Sequence, residues 1–146
     1  GDESVDHIHK KLYHIMWDYV GMARNEKGLK KALAMLKDIR KEFNEHVRIP
    51  GDKEGLNTEL DKAIHLRDFI TMGELIAYDA LERNESCGGH FREESQTEEG
   101  EAKRDDEHYM YVACWQYQGS DDVAPTLLKE PLNYQYIKVQ VRNYKK

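Results

Sequence analysis

Long apolar runs, a basic stripe, a cysteine framework and a glycine-rich nucleotide loop are all missing from this 146-residue chain, and each absence removes a class of function. No apolar stretch approaches the roughly 20 residues that a membrane span needs, and no signal-peptide pattern opens the sequence, so a soluble, intracellular chain without direct membrane insertion is expected. Lys and Arg never gather into the stripe that phosphate binding requires, which removes nucleic acid from the expected partners. Two cysteines, Cys87 and Cys114, do not make a disulfide framework. No G-x-G-x-x-G follows a strand, and no glycine loop could seat a pyrophosphate on a helix N-terminus. We therefore assign no catalytic, cofactor-binding or metal-binding residue to the chain.

What the sequence does have is charge. Charged residues make up 34% of it and the mean hydropathy is -0.87, so much of the surface is solvated, although the length suffices for one sizeable core. The net charge of -6 is unevenly placed. Residues 85–107 hold nine acids (Glu85, Glu93, Glu94, Glu98, Glu99, Glu101, Asp105, Asp106, Glu107) against three bases (Arg92, Lys103, Arg104), so the rest of the chain is neutral.

Three helical patterns fill the first half. Val5, Ile8, Leu12, Ile15, Met16, Tyr19, Val20 and Ala23 recur at spacings of three and four, with Ser4 available as a cap. A second stripe runs Leu29, Ala32, Leu33, Leu36, Ile39, Phe43, Val47 and is ended by Pro50-Gly51. After the loop "RIPGDKEG", Asn57 or Thr58 caps a third helix over about residues 58–83. Its apolar residues, Leu60, Ala63, Ile64, Leu66, Phe69, Ile70, Met72, Leu75, Ile76, Ala80 and Leu81, form the broadest face of the three, so this helix should be the most enclosed. Short connections near residues 25 and 52 make neighbours antiparallel, which predicts an up-down-up, spectrin-repeat-like three-helix bundle over 1–84.

After residue 108 the period changes. "YMYVACWQY" is rich in aromatic and β-branched residues, and Ile137, Val139 and Val141 alternate with Lys138, Gln140 and Arg142; these read as two strands with "QGSDDVAP" and Pro131 as loop between them. Residues 85–146 are thus expected to form a long polar loop and a short β-containing extension, mainly α overall. A two-stranded ribbon is marginal alone and should lie against the bundle or another domain.

The stretch "NESCGGHFREE", residues 84–94, is the one that does not read as filler. Zinc could recruit Cys87 and His90 with His108 or Cys114, but structural zinc favours two closely spaced pairs and the second pair here is six residues apart. A Cys87/His90 nucleophilic pair needs a thiolate-stabilising environment, and the surrounding acids would raise a thiol pKa. Cys114, inside an apolar strand, reads as a buried small hydrophobe, and Gly88-Gly89 as a helix C-cap and turn. That plain reading explains the glycines but not the dense polar sequence after them.

Those residues carry a resemblance. "RDFITMGELIAYDALERNESCGGHFREE" followed by "KRDDEHYMYVACW" resembles the C-terminal region of the flavoprotein subunit of succinate dehydrogenase and fumarate reductase, whose members have a Glu-Ser-Arg-Gly-Ala-His-x-Arg-Glu-Asp type motif and then Arg-Asp-Asp. Glu85, Ser86, Gly88, His90, Arg92, Glu93, Arg104, Asp105 and Asp106 match; "WDYVGMARNEKGLKKAL" and the ending Arg142-Asn143-Tyr144 are similar too. Cys87 stands where most members have Arg, Gly89 replaces Ala, and "SQTEEGEAK" is longer than the usual link, so no contact of the missing Arg carries over.

The resemblance implies a parent subunit that interconverts succinate and fumarate on FAD, with flavin, dicarboxylate-binding and proton-shuttle residues in domains N-terminal to this one. The chain, which begins with Gly1 directly at a helix, then reads as an excised domain, inactive alone, that buttresses the flavin domain. Expected partners are the N-terminal flavin-binding domains of the same subunit, an iron-sulfur subunit and a membrane anchor, at the inner face of the cell membrane. Because the polar groups of 85–106 find few partners in a three-helix bundle, Glu85, Ser86, His90, Arg92, Arg104, Asp105 and Asp106 are expected to dock between domains. Arg92 and Arg104 would pair across that interface or with Glu93 and Asp105, and His90 would donate to a backbone carbonyl. The acidic middle, Ser95 to Lys103, is expected to be the most mobile part. L-Aspartate oxidase shares the helical region and the Glu-Ser-x-Gly motif, but the long tail favours succinate dehydrogenase or fumarate reductase; a free-standing helical interaction module is the non-enzyme alternative.

Overall fold

The computed structural model describes residues 1–141; Arg142, Asn143 and Tyr144 lie outside the described residues. The chain divides into two compact units, Gly1–Leu81 and the residues from Glu82 onward. The first contains β1 (Glu3–Ser4), α1 (Val5–Val20), α2 (Glu26–His46), β2 (Val47–Arg48) and α3, which runs Thr58–Glu82 and so ends one residue into the second unit.

Local chemistry sets the helix ends. The Ser4 hydroxyl accepts the His7 N–H at 3.1 Å and starts α1, and the Asn25 side chain accepts the Gly28 N–H at 2.7 Å and starts α2. Arg24 donates to the Val20 and Gly21 carbonyls, satisfying the open C-terminus of α1. Asn57 caps α3 through the Leu60 N–H. α2 stops at His46 because Val47 turns extended and, with Arg48, pairs in parallel with Glu3 and Ser4. Two residues on each side are too short for any periodicity signal, and the sequence reading placed Val47 on the helical stripe.

Packing follows the expected up-down-up order. Lys11 of α1 pairs with Glu42 near the end of α2, while Asp6 meets Lys62 and the His9 and Phe69 rings lie 5.9 Å apart, so α1 and α3 run parallel with α2 between them in sequence and antiparallel to both. The core is Val5, Ile8, Leu12, Ile15 and Val20 of α1, Leu29, Ala32, Leu36, Ile39 and Phe43 of α2, and Ala63, Leu66, Ile70, Ala77 and Ala80 of α3. At Gly73 a Cβ would sit 3.1 Å from Met16 Sδ and 3.6 Å from both Leu12 Cδ1 and Leu36 Cδ2. A larger side chain here would press on these side-chain ends. Arg40 and Glu74 form an ion pair inside this core, with Thr71 Oγ1 3.3 Å from both terminal nitrogens of Arg40.

α3 is about as enclosed as α1 and α2 rather than distinctly the most enclosed, because Leu60, Ile64, Phe69, Met72 and Ile76 are each 40–53% exposed. Two neighbours can cover only one stripe of a helix, and that stripe is the Ala63–Leu66–Ile70–Gly73–Ala77–Ala80 row of mostly small residues. Leu60, Ile64, Phe69, Met72 and Ile76 are left outside it.

The second unit holds α4 (Asp106–Tyr109), β3 (Tyr111–Gln116) and β4 (Thr126–Pro131). β3 and β4 pair antiparallel from Tyr111↔Pro131 to Gln116↔Thr126. The second strand therefore lies at 126–131, not at 137–141, which carries no strand despite its alternation. The reversal through Gly119, at φ +85°, brings "TLLKEP" opposite β3, and Pro131 sits at the ribbon's end, where its missing N–H costs little. Cys114 is exposed rather than buried: period two places Tyr111, Ala113 and Trp115 on one face and Val112, Cys114 and Gln116 on the other, where Cys114 stands opposite Leu128.

Four variants test the first unit. Leu36→Ala, at a fully buried position, should lower unfolding free energy by about 2–5 kcal/mol in denaturant titration, and Gly73→Leu by about 1–3 kcal/mol through overpacking. Glu74→Ala should cost about 3–5 kcal/mol by removing the carboxylate that the buried Arg40 pairs with, whereas Arg40→Met combined with Glu74→Leu should recover most of that loss in the same titration.

Candidate functional site

The residues singled out by sequence converge in the second unit around a side chain that sequence reading passed over, Arg83. Its guanidinium donates to Glu85 Oε1 at 3.0 Å, to the Tyr109 carbonyl at 2.8 Å and to the Tyr111 carbonyl at 3.2 Å, and it stacks 4.7 Å from the centre of the Tyr111 ring. Glu85 is buried and completes its carboxylate with the Asp105 N–H at 2.8 Å. One carboxylate thus joins the residues after α3 to the start of α4, 20 residues away. Lys129 covers the same ring from β4 and pairs with Glu82.

Ser86 is buried beside it. Its Oγ accepts the Arg92 N–H at 2.9 Å and donates to the Arg92 carbonyl at 3.2 Å, while its own N–H reaches the Lys103 carbonyl. Between these, Cys87 and His90 exchange both backbone hydrogen bonds around Gly88-Gly89. Gly88 has φ +60° at the first central position, the pattern of a type II′ turn, which favours glycine there. The glycines are a hairpin turn and not the C-cap of α3, which ended at Glu82. The turn swings His90 back so that its Nε2 lies 2.7 Å from the Arg83 carbonyl, the bond to a backbone carbonyl expected of it.

Arg92 is 2% exposed and its Nε donates to Glu94 at 3.0 Å. Arg104 grips Asp106 with two bonds and reaches the Gln140 carbonyl at 2.9 Å. Arg92 thus meets Glu94, and Arg104 meets Asp106, while Asp105 caps α4 through the His108 N–H; the sequence offered Glu93 and Asp105 as partners, beside carboxylates across an interface. The two-bond contact with Arg104 holds the Asp106 carboxyl below its ordinary pKa.

The acidic middle is also structured by its own polar groups. Ser95 donates to the Asn84 carbonyl and side chain, and Lys103 N–H returns to the Ser95 carbonyl. Gln96 and Ala102 bridge, and the Thr97 and Glu101 backbones close the loop at Gly100. The segment therefore finds within its own unit the partners that a bare three-helix bundle would have denied it.

Chemically, this is a hydrogen-bonded framework. Both cysteines are exposed, and among the described residues no three His, Cys, Asp or Glu side chains converge as a metal would need. The residues present do not fit a flavin pyrophosphate. The N-termini of α1, α2 and α3 are taken by their own capping side chains and carry Asp6, Glu26, and Glu59 with Asp61 in the first turn, which repel phosphate. No helix among the described residues is long and apolar enough to cross a membrane.

Comparison with known proteins agrees with this architecture. The family model described as fumarate reductase flavoprotein C-term matches residues 9–144. An uncharacterised FAD-dependent oxidoreductase of Methanocaldococcus jannaschii is 35% identical over 94 residues, covering 64% of this chain and 16% of its own length. L-Aspartate oxidase of Yersinia pestis is 32% identical over 88 residues, covering 60% and 15%. A solved quinol-fumarate reductase with menaquinol molecules has the same fold, with a TM-score of 0.80 at 24% identity over 94% of this chain and 23% of that one. The helical unit, hydrogen-bonded loop and ribbon define a C-terminal domain of flavoprotein oxidoreductases. The chain belongs to the fumarate reductase flavoprotein C-terminal family, and it spans about a sixth of the length of these curated relatives.

The framework makes a direct prediction. Glu85→Ala strands the Arg83 charge and the Asp105 N–H, at a cost of about 3–5 kcal/mol within the second unit. Amide exchange at Ser86, Arg92 and Lys103 should accelerate, while amides in the middle of α2 keep their protection.

Proposed function

We propose that this chain is the C-terminal helical domain of the FAD-containing flavoprotein subunit of a succinate dehydrogenase or fumarate reductase, and that it serves the enzyme by supporting the flavin domain. The observation that carries the reading is the family match over residues 9–144, which runs through the helices, the loop and the ribbon alike. Succinate–fumarate interconversion and electron transfer then belong to the parent subunit, and the flavin to its other domains. An iron-sulfur subunit and a membrane anchor would complete the complex, with the parent peripheral at the inner face of the cell membrane.

The loop system is the proposed docking element. Glu85, Ser86 and Arg92 are buried and act by holding its shape, while His90, Arg104, Asp105 and Asp106, less enclosed, border the surface offered to the flavin domain. An L-aspartate oxidase parent is the second reading, favoured by the Yersinia pestis relative; against it, that likeness covers 60% of the chain while the family model continues to residue 144.

The parent polypeptide containing this chain tests both. It should purify yellow, with flavin absorbance that survives dialysis, and should reduce fumarate or oxidise succinate in preference to L-aspartate. The 146-residue chain alone should retain no flavin. In the parent, His90→Ala, which removes one hydrogen bond of about 1 kcal/mol, should lower flavin retention. A parent without flavin, or one turning over L-aspartate alone, overturns the first reading.

A further inference from the structure

The first unit has two unlike sides. α2 presents Glu26, Lys27, Lys30, Lys31, Lys37, Asp38 and Lys41 outward and contributes no large exposed apolar side chain. α1 and α3 expose Tyr13, Trp17, Phe69, Met72 and Ile76, with Trp17 at 70%. These five form one surface. His9, Tyr13 and Trp17 share a face of α1 at spacings of four, and Phe69, Met72 and Ile76 share a face of α3 at three and four. Asp6 meets Lys62, the His9 ring meets Phe69, and Met16 lies against Gly73, so α1 and α3 run in register and bring Tyr13 and Trp17 level with Met72 and Ile76. Tyr13 and Trp17 stack at 6.0 Å, and Phe69 sits between His9 and His65. Aromatic residues and Met are the types enriched at the centres of protein interfaces, and charged residues the types depleted there.

We propose that this α1/α3 face is the surface on which the remainder of the parent polypeptide seats, so that the charged α2 side is left to water. The inference rests on the parent reading above and adds to it which face of the helices is covered. Size argues for a tethered occupant over a second copy. A stable association of free proteins takes about 20–30 residues a side, far more than this patch supplies. A covalently linked partner is present at an effective concentration on the order of millimolar, where a small apolar patch suffices. The matched quinol-fumarate reductase chain has room for such a partner, since this fold accounts for 23% of it.

Hydroxyl-radical footprinting of Trp17, Phe69 and Met72 in the isolated chain and in the parent polypeptide tests the inference. Labelling should be fast in the isolated chain and about tenfold slower in the parent, as expected for desolvated anchor residues. Trp17→Ser with Phe69→Ser should lower the melt of the isolated chain only slightly, because Trp17 is mostly exposed and Phe69 half-buried, while increasing proteolysis of the parent at the domain junction; Lys30→Ser, on α2, should leave that proteolysis unchanged. Equal labelling in both contexts, in a parent that still holds its flavin, overturns this face as the seat and leaves the parent reading intact. Labelling that falls with concentration in the isolated chain, together with a dimer in sedimentation, makes the occupant a second copy and overturns the proposal. A parent that holds no flavin overturns the parent reading and this inference with it.

Discussion

A buried carboxylate must find charge and hydrogen bonds or it costs several kcal/mol, and the second unit is arranged around meeting that need at Glu85. Arg83 supplies the charge, and Asp105 supplies an N–H from 20 residues further on. The same guanidinium ties the Tyr109 and Tyr111 carbonyls, so α4 and the first strand of the ribbon are located by the group that satisfies Glu85. Remove either partner and the loop between them loses its two fixed ends.

Everything between those ends is local bookkeeping of polar groups. Ser86 closes on Arg92, Ser95 on Asn84, and the two glycines let Cys87 and His90 pair so that His90 returns to Arg83. A segment with nine acids in 23 residues is thereby ordered with little apolar burial, through hydrogen bonds whose net worth is about 1 kcal/mol each and whose loss is dearer. Such a framework is suited to presenting a fixed polar surface.

The helical unit obeys a different constraint. Three helices can bury one stripe each, and α3 has more apolar residues than one stripe holds. Leu66, Ile70 and the small residues Ala63, Gly73, Ala77 and Ala80 went inward, and Leu60, Ile64, Phe69, Met72 and Ile76 stayed outside. The surplus apolar face on α1 and α3, set against a charged α2, polarises the unit in a way a self-sufficient bundle would not need.

Much of this was legible in the sequence. Spacings of three and four located α1, α2 and α3 to within a few residues, Ser4 was readable as a cap, and the "NESCGGHFREE" and Arg-Asp-Asp motifs carried the family. Periodicity could do no more than say that α3 was apolar on many sides; which side two neighbours would cover was a tertiary matter. Alternation at 137–141 promised a strand, but pairing went to 126–131 because the turn at Gly119 brought that segment opposite β3. Cys114 went outward for the same reason, its face being set by register. Arg83 was invisible as a hub, since its partners Glu85, Tyr109 and Tyr111 are brought together only by the fold. Local spacing and caps are written residue by residue, so the sequence by itself determined the helices and the family. Which carboxylate each arginine meets, and which apolar face is left uncovered, depends on side chains distant in the chain arriving at one place, and that only the tertiary structure decided.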